Sequence, residues 1–373
     1  QYYANGGSFI TGLGPSFGGG GSGLVPLFIA NPDVTAEKSL KLNAGIDMNL
    51  FDKLSITADY FIDKRSGILT LDNTRMDYNG TNVYYSNIGR MTNQGVDGNI
   101  TFTDKIGDFS YSVFGNAVYA KNTVDFMGEV PPKYAYNAAT GRPLGTRMGL
   151  TCIGFYQVND FNLDGSLKKD LPTPLFGSVQ PGDLKYMDWD GDGYVDETDI
   201  SEIGGPGYPK LQFSVGADFE YKGFDFSFLF TGSAGGTVNL LDYSAWKPFL
   251  NYGNIFEWAR GAWAYYPEQN IDTREYATFP RLTTGQNDNN YRSSTFWIRK
   301  NDYIRLQNVE VGYDLANLRA VRNAGITKCR LYINALNLLT FSNLLNECKM
   351  DPETAYYGYP ALKSANVGVQ ISF

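Results

Sequence analysis

Hydrophobic side chains alternate with polar ones in stretch after stretch of this chain, and no other feature limits its fold as much. In "KLNAGIDMNL", Leu42, Ala44, Ile46, Met48 and Leu50 share one face, while Lys41, Asn43, Asp47 and Asn49 share the other. After Phe51-Asp52-Lys53 the pattern resumes, with Leu54, Ile56, Ala58, Tyr60 and Ile62 set against Ser55, Thr57, Asp59 and Asp63. A period of two marks a strand with one apolar face. It recurs at 96–102, 111–119, 211–221, 224–230, 304–313 and 331–335. Helical periodicity is confined to "LANLRAVRNAG" (315–325), closed by Gly325. The chain is therefore expected to be all-β.

Two β architectures share this pattern. In a soluble sandwich the apolar faces meet across a core and connections are short. In an outer-membrane barrel they meet lipid, and short turns alternate with long loops. Here 51–53, 104–108 and 222–223 are tight turns, whereas 121–209 and 232–300 are very long and rich in Tyr, Trp, Asn, Gly and Pro. That alternation predicts an antiparallel transmembrane β-barrel with two long extracellular loops. "NVGVQISF" agrees, with Val367, Val369, Ile371 and Phe373 on one face of a last strand; an ordinary final strand is the plainer alternative. Counting back from Phe373 as periplasmic places strands near 364–373, 328–338, 301–313, 224–231, 210–221, 109–120, 83–103, 54–66 and 40–50. Every tight turn then falls on the periplasmic side and every very long loop outside. Nine antiparallel strands cannot close with matched neighbours, because an odd count pairs the first and last in parallel. Residues 1–373 are thus expected to be the C-terminal portion of a larger barrel. The start, "QYYANGGSFI", lacks a basic stretch followed by an apolar run, so the chain either stays in the cytoplasm or lacks its natural beginning.

Composition removes several function classes. A formal net charge of -8 with mixed signs argues against nucleic acid, which selects a basic face. The chain has no histidine, so the Ser-His-Asp triad, the Cys-His pair and HExxH zinc chemistry are all excluded, and no enzyme is expected. Cys152, Cys329 and Cys348 have no metal spacing; one disulfide with a leftover thiol, or three inert thiols, fit equally. "GPSFGGGGSG" lacks the Gly-Lys-Ser/Thr ending of a phosphate loop and reads as a flexible outer loop.

Several segments, taken in order, carry a family resemblance. "NPDVTAEKSLKLNAGIDMNLFDKLSITADYFIDKRSGIL", "SNIGRMTNQGVDGNI", "QPGDLKYMDWDGDGYVDETDISEIGGPGYPKLQFSVGADFEYKGFDFSFLFTG", "YRSSTFWIRKNDYIRLQNVEVGYDL" and "LYINALNLLTFS" resemble the C-terminal barrel half of SusC-type TonB-dependent transporters. The resemblance implies a 22-stranded outer-membrane barrel of the plugged kind. It further implies energising through TonB, a SusD-like surface lipoprotein as lid, and oligosaccharide or oligopeptide cargo. No plug domain, TonB-contacting segment or first barrel half is found in these residues, so those partners would come from elsewhere.

"DWDGDGYVDETD" (188–199) fits a calcium loop. Asp188, Asp190 and Asp192 take positions 1, 3 and 5, Gly193 takes 6, the Tyr194 carbonyl takes 7, Asp196 takes 9 and Asp199 takes 12. Clustered carboxylates repel unless a cation neutralises them, and alternate spacing lets a turning backbone aim several oxygens inward. Asp199 is shorter than the usual Glu at position 12. Upstream, "VQPGDLKYM" cannot be an entering helix, which speaks against a sensor that moves a helix pair. A structural calcium clip holding 121–209 is the expectation, with a solvated acidic turn as the alternative. "DFNLDGSL" is half such a loop, has Leu171 at position 12, and reads as a turn.

Other groups are less specific. Trp246, Trp258, Trp263, Tyr265 and Tyr266 crowd one long loop and suit stacking on sugar rings or peptide side chains, or contact with neighbouring loops or a lid subunit. Lys41, Asn43, Asp47, Asp59, Asp97, Gln212, Asp218, Glu220, Arg305 and Gln370 are expected to face the lumen. Two functions follow: part of an outer-membrane nutrient importer, or a calcium-stabilised structural or adhesion component without transport.

Overall fold

The structure, a computed structural model, describes residues 3–10, 20–26, 31–74, 84–242, 246–249, 254–255, 257–318, 321, 323, 325–354 and 359–372, with side chains from residue 31 onward. The final aromatic, Phe373, lies outside these residues. Nine strands form one sheet: β1 Lys38–Leu50, β2 Leu54–Leu71, β3 Tyr85–Ile106, β4 Phe109–Phe126, β5 Leu211–Tyr221, β6 Phe224–Ala234, β7 Tyr303–Asp314, β8 Lys328–Phe341 and β9 Ser364–Ser372. Each pairs antiparallel with its sequence neighbour, from β1 at one edge to β9 at the other. These are the nine strands expected from the sequence. A separate two-stranded hairpin joins Tyr3–Ile10 to Gly20–Pro26.

Tight turns sit at one end of this wall. Lys222 and Gly223 both have positive φ (49° and 88°), as a two-residue type I′ hairpin requires, and Tyr221 pairs directly with Phe224. Of the expected helix over 315–325, the described residues give a 3-10 turn at Leu315–Asn317 and α-helical backbone at Val321 and Asn323; residues 319, 320, 322 and 324 lie outside the description. A short α-helix in the described residues, α1 (Asn343–Cys348), was not anticipated.

Register aligns the apolar residues across neighbouring strands. Met48 faces Ile56, Ile56 faces Ile100, Val215 faces Phe230, and Val311 faces Ile333, which faces Val367. This face is bare: Val367 is 72 % and Val215 47 % exposed. Near the tight turns it carries an aromatic band, with Phe109 stacked on Phe219 at 6.1 Å, Phe219 on Phe226 at 6.1 Å, and Phe224 beside Tyr313 at 4.3 Å. Aromatic girdles of this kind edge the apolar belt of membrane barrels. No helix among the described residues is long and apolar enough to cross a membrane, which says nothing of a crossing by strands.

All ten residues expected to face the lumen lie on the opposite face by register, as the Gln212–Val118, Asp218–Ser112 and Arg305–Thr340 pairs place them. The connections fold back onto that face. Arg305 is only 2 % exposed because Asp351 (2.8 Å) and Glu353 (2.5 Å), from the β8–β9 connection, close over its guanidinium, and Thr340 accepts from Nε at 3.0 Å. Nearer the tight turns Arg330 binds Asp225 and, at 2.6 Å, Glu310. Covering the polar face while baring the apolar one is the reverse of a soluble sandwich.

Candidate functional site

Three long connections leave the same end of the wall: loop A (127–210), loop B (235–302) and loop C (342–363). They condense into one body with its own core. Leu150, Leu184, Tyr186 and Val195 of loop A pack with Val238, Leu240, Trp246, Ala262, Phe279 and Trp297 of loop B and with Leu344, Cys348 and Met350 of loop C. Buried backbone groups need partners, and short ladders supply them. Arg147–Gly149 pairs with Ser201–Gly204, Cys152–Phe155 with Leu184–Tyr186, and Thr237–Asn239 with Ile298–Lys300.

Asp183 is the hub of this body. It is fully buried, and its Oδ1 accepts from Arg281 Nε (2.7 Å), Asn287 Nδ2 (3.0 Å) and Asn290 Nδ2 (2.9 Å). Its Oδ2 accepts from Arg281 Nη2 (3.2 Å) and the Gln180 N–H (2.8 Å). Asn290 Oδ1 in turn accepts from the Leu184 N–H at 2.8 Å, and the Tyr186 hydroxyl donates to the Asn289 carbonyl at 2.7 Å. Burial pushes the Tyr186 hydroxyl pKa well above its ordinary value. A buried carboxylate persists when paired and fully hydrogen-bonded, and this network ties loop A to loop B. Sequence reading missed Asp183, Arg281, Asn287 and Asn290, although "QPGDLKYM" and "GQNDNNYR" are conspicuous polar runs.

The acidic loop lies on the surface of this body. Asp188, Asp190 and Asp192 bring carboxylate oxygens within 4.8 Å of one another. Gly191 (φ 73°) and Gly193 (φ 87°) turn the backbone, and both donate N–H groups to Asp188, at 2.7 and 2.9 Å. Tyr194 N–H donates to Asp192, and Thr198 Oγ1 donates to Asp190 (3.1 Å) and Asp196 (2.8 Å). Asp199 is buried behind the turn, where it accepts the N–H groups of Trp189 (2.6 Å) and Asp196 (2.9 Å). Burial, together with the charges of Asp188 and Asp190, raises its pKa despite those donors. At Asp190 desolvation pushes upward, but hydrogen bonds from Tyr134 and Thr198 and the Lys133 charge outweigh it and the pKa falls. Of the six residues expected to hold a cation, the structure thus gathers three carboxylates and uses Asp196 and Asp199 to brace the turn. "DFNLDGSL" is a turn, with Ser166 donating its N–H to Asp164 at 2.9 Å.

The aromatic residues divide. Trp246 and Trp263 are buried, and Trp246 stacks on Trp258 at 3.9 Å, so these indoles fill the core between loops. Arg274 covers the Tyr265 ring at 3.8 Å, which leaves Tyr266 as the exposed member of the five. A second aromatic group not read from the sequence lies beside the acidic loop: Tyr134 stacks on Tyr136 at 5.2 Å, and Trp189 lies tilted against Tyr136 at 5.7 Å. Between loops A and B opens a cleft of about 660 Å3, where Phe176, Tyr291, Lys247, Asp288 and Arg292 mix ring surface with both charges. The three cysteines are all free thiols.

Comparison with known proteins agrees with this architecture. The chain is 26 % identical to TonB-dependent receptor P3 of Formosa agariphila over 94 % of its own length and 36 % of that receptor. It is 23 % identical to TonB-dependent receptor P26 of the same organism, over 92 % of the chain and 35 % of the receptor. The chain therefore spans about a third of the length of these curated relatives. Among solved structures, that of the RagAB peptide transporter superposes with a TM-score of 0.64 at 20 % identity, covering 98 % of this chain and 38 % of the other, which is a likeness of fold. The family model for the TonB dependent receptor-like β-barrel matches residues 2–338. With that match over most of its length, the chain belongs to the TonB dependent receptor-like β-barrel family.

Proposed function

We propose that this chain forms the C-terminal wall and outer loop body of an outer-membrane importer of oligomeric nutrients. One observation carries the reading: a nine-stranded wall leaves its apolar face bare and its polar face lined and roofed by the loops. Such a wall suits a larger barrel of about 22 strands that encloses a plug. A plug, a first barrel half and a TonB-contacting segment would come from residues beyond these, and a SusD-like lipoprotein would cover the loop body. Oligopeptides are the first cargo to test, since the cleft between loops A and B mixes aromatic and charged groups. The name of the RagAB peptide transporter supports the same choice; oligosaccharides are the second.

Within this reading the acidic loop is a structural calcium clip. Asp188, Asp190 and Asp192 would hold the ion with the Tyr194 carbonyl, while Asp196 and Asp199 close the loop. Calcium supplies charge neutralisation there and no chemistry. Binding to the folded loop alone stabilises it by about 2.7 kcal/mol at a hundredfold excess over the Kd.

Purification of the intact complex from its outer membrane is the test. Co-purification with a plug-bearing portion and a surface lipoprotein, with uptake of labelled oligopeptides abolished by deletion, is expected. Assembly with motility or secretion components, and undiminished uptake, would sink the importer. For the clip, calcium should protect loop A from protease in the wild type and not in Asp190→Asn; equal protection without calcium removes it.

A further inference from the structure

At the loop end of β1–β4 the two faces of the wall treat charge differently. On the polar face the charged groups satisfy one another: Arg65 binds Asp63 and Glu37, both at 3.2 Å, and Ser39 donates to Asp63 at 2.6 Å. On the opposite face, alternation carries the apolar rows upward into cations. Leu42 and Leu40 lead to Lys38 on β1, Ile62 to Lys64 on β2, Val96 and Gln94 to Arg90 on β3, and Tyr119 to Lys121 on β4. Register sets Lys38 and Arg90 in one row, each opposite Ser66; Lys64 lies in the next row down, and Lys121, opposite Gln94, in the row below that.

All four cations are exposed, and none makes an ion pair or a side-chain hydrogen bond among the described residues. The Arg90 guanidinium lies 5.9 Å from the centroid of the Phe126 ring. Asp125 is the one carboxylate that register places among them. It accepts the Thr92 hydroxyl at 2.8 Å, and four cations against it leave a surplus of three positive charges. Neighbouring strands lie ~4.8 Å apart, so the cations spread over roughly 14 Å of surface. Like charges gathered on one surface repel unless anions come between them.

Height decides what lies against them. Tyr111 belongs to the aromatic band at the tight-turn end, stacked on Phe109 at 5.6 Å. From Tyr111 to Lys121, β4 climbs roughly 26 Å at ~3.4 Å per residue and a tilt of ~40°, which is the height of a barrel's apolar belt. β2 climbs as far from Leu54 to Lys64. Lys64 and Lys121 therefore stand where hydrocarbon ends, and Lys38 and Arg90 just above, at the level of headgroups. Exposed Leu42, Val96 and Tyr119 lie below them, within the belt.

With the loop body outward, that level belongs to the outer leaflet, which in a bacterial outer membrane is built of phosphorylated glycolipid. We propose that this face of β1–β4 binds that glycolipid. Its phosphates meet Lys38, Lys64, Arg90 and Lys121, and its acyl chains lie along Leu42, Val96 and Tyr119. A sugar pair phosphorylated at both ends reaches cations on separate strands, whereas a single phosphodiester does not. The site rests on the outward orientation of the loop body, which is part of the import reading, and not on what the protein imports.

The intact outer-membrane complex, exchanged in mild detergent with lipid A, dephosphorylated lipid A or phosphatidylglycerol, can be weighed by native mass spectrometry. Lipid A is expected to stay bound in preference to both others. Its preference over the dephosphorylated form should fall about fivefold in Lys64→Gln and about twenty-fivefold in Lys64→Gln/Lys121→Gln, and return in Lys64→Arg/Lys121→Arg. Lys168→Gln/Lys169→Gln removes the same charge from a surface turn of loop A and should leave the preference unchanged. Equal retention of lipid A and either other lipid, an unchanged preference in Lys64→Gln/Lys121→Gln, or an equal fall in the loop A variant overturns the site. Loss of a partner protein from Lys64→Gln/Lys121→Gln with lipid retention unchanged also overturns it, since the cations would then serve a protein contact. Uptake assays on the same variants separate this result from the import reading, because a failed importer leaves lipid preference untouched.

Discussion

Val215 on the wall and Leu184 in the loop body are both aliphatic and both sit in strands, yet the first is 47 % exposed and the second wholly buried. The two regions face different surroundings. On the wall, whole rows of Val, Ile, Leu and Phe point outward with no protein against them, which is stable only when hydrocarbon replaces water. In the loop body the same kinds of side chain turn inward around Trp297, and a buried ionic hub holds the connections together. One region is stabilised by its solvent and the other by its own packing.

The largest effect that could break this contrast is at the hub. Asp183→Ala removes the acceptor of Arg281, Asn287 and Asn290 and leaves a cation uncompensated, which costs about 3–5 kcal/mol. Loops A and B should become protease-sensitive while the barrel keeps its heat-modifiable gel mobility; joint loss of both would show that wall and body are one cooperative unit. Next comes a charge on the wall. Val215→Arg should cost about 2–4 kcal/mol in unfolding from bilayers, since the position lies near mid-belt. An effect within ~0.5 kcal/mol, normal for a water-exposed surface site, would refute lipid contact. The smallest effect is chemical. Burial raises the Cys348 thiol to about 11, so at pH 8 it is overwhelmingly neutral and should resist maleimide in the folded body. Reactivity should appear only as pH approaches that value or when the body opens. Rapid labelling at pH 8 would place loop C outside the core.

Legibility followed the same division. Alternation around Ile46, Ile56, Val215 and Val367 revealed nine strands, their order and the side each face takes, because each residue's place depends on its immediate neighbours in sequence. The acidic loop was legible for a related reason: Asp188, Asp190 and Asp192 converge within five residues. Its brace was less so, since Asp199 turns to the N–H groups of Trp189 and Asp196 rather than towards the cluster. The Trp-rich stretch was ambiguous, because aromatic rings serve equally to bind ligand or to fill a core, and only packing shows that Trp246 and Trp263 fill one.

The sequence by itself determined the wall. A period of two, tight turns and long loops in strict alternation suffice, because strand faces are set by local geometry and by a solvent that acts on each residue separately. The loop body was decided only in three dimensions. Asp183 meets Arg281 and Asn290 across separations of 98 and 107 residues, Arg305 meets Asp351 across 46, and no local period encodes such meetings. The row of Phe213, Gly232, Ile304 and Phe341 is likewise tertiary, because four strands from distant parts of the chain bring it together.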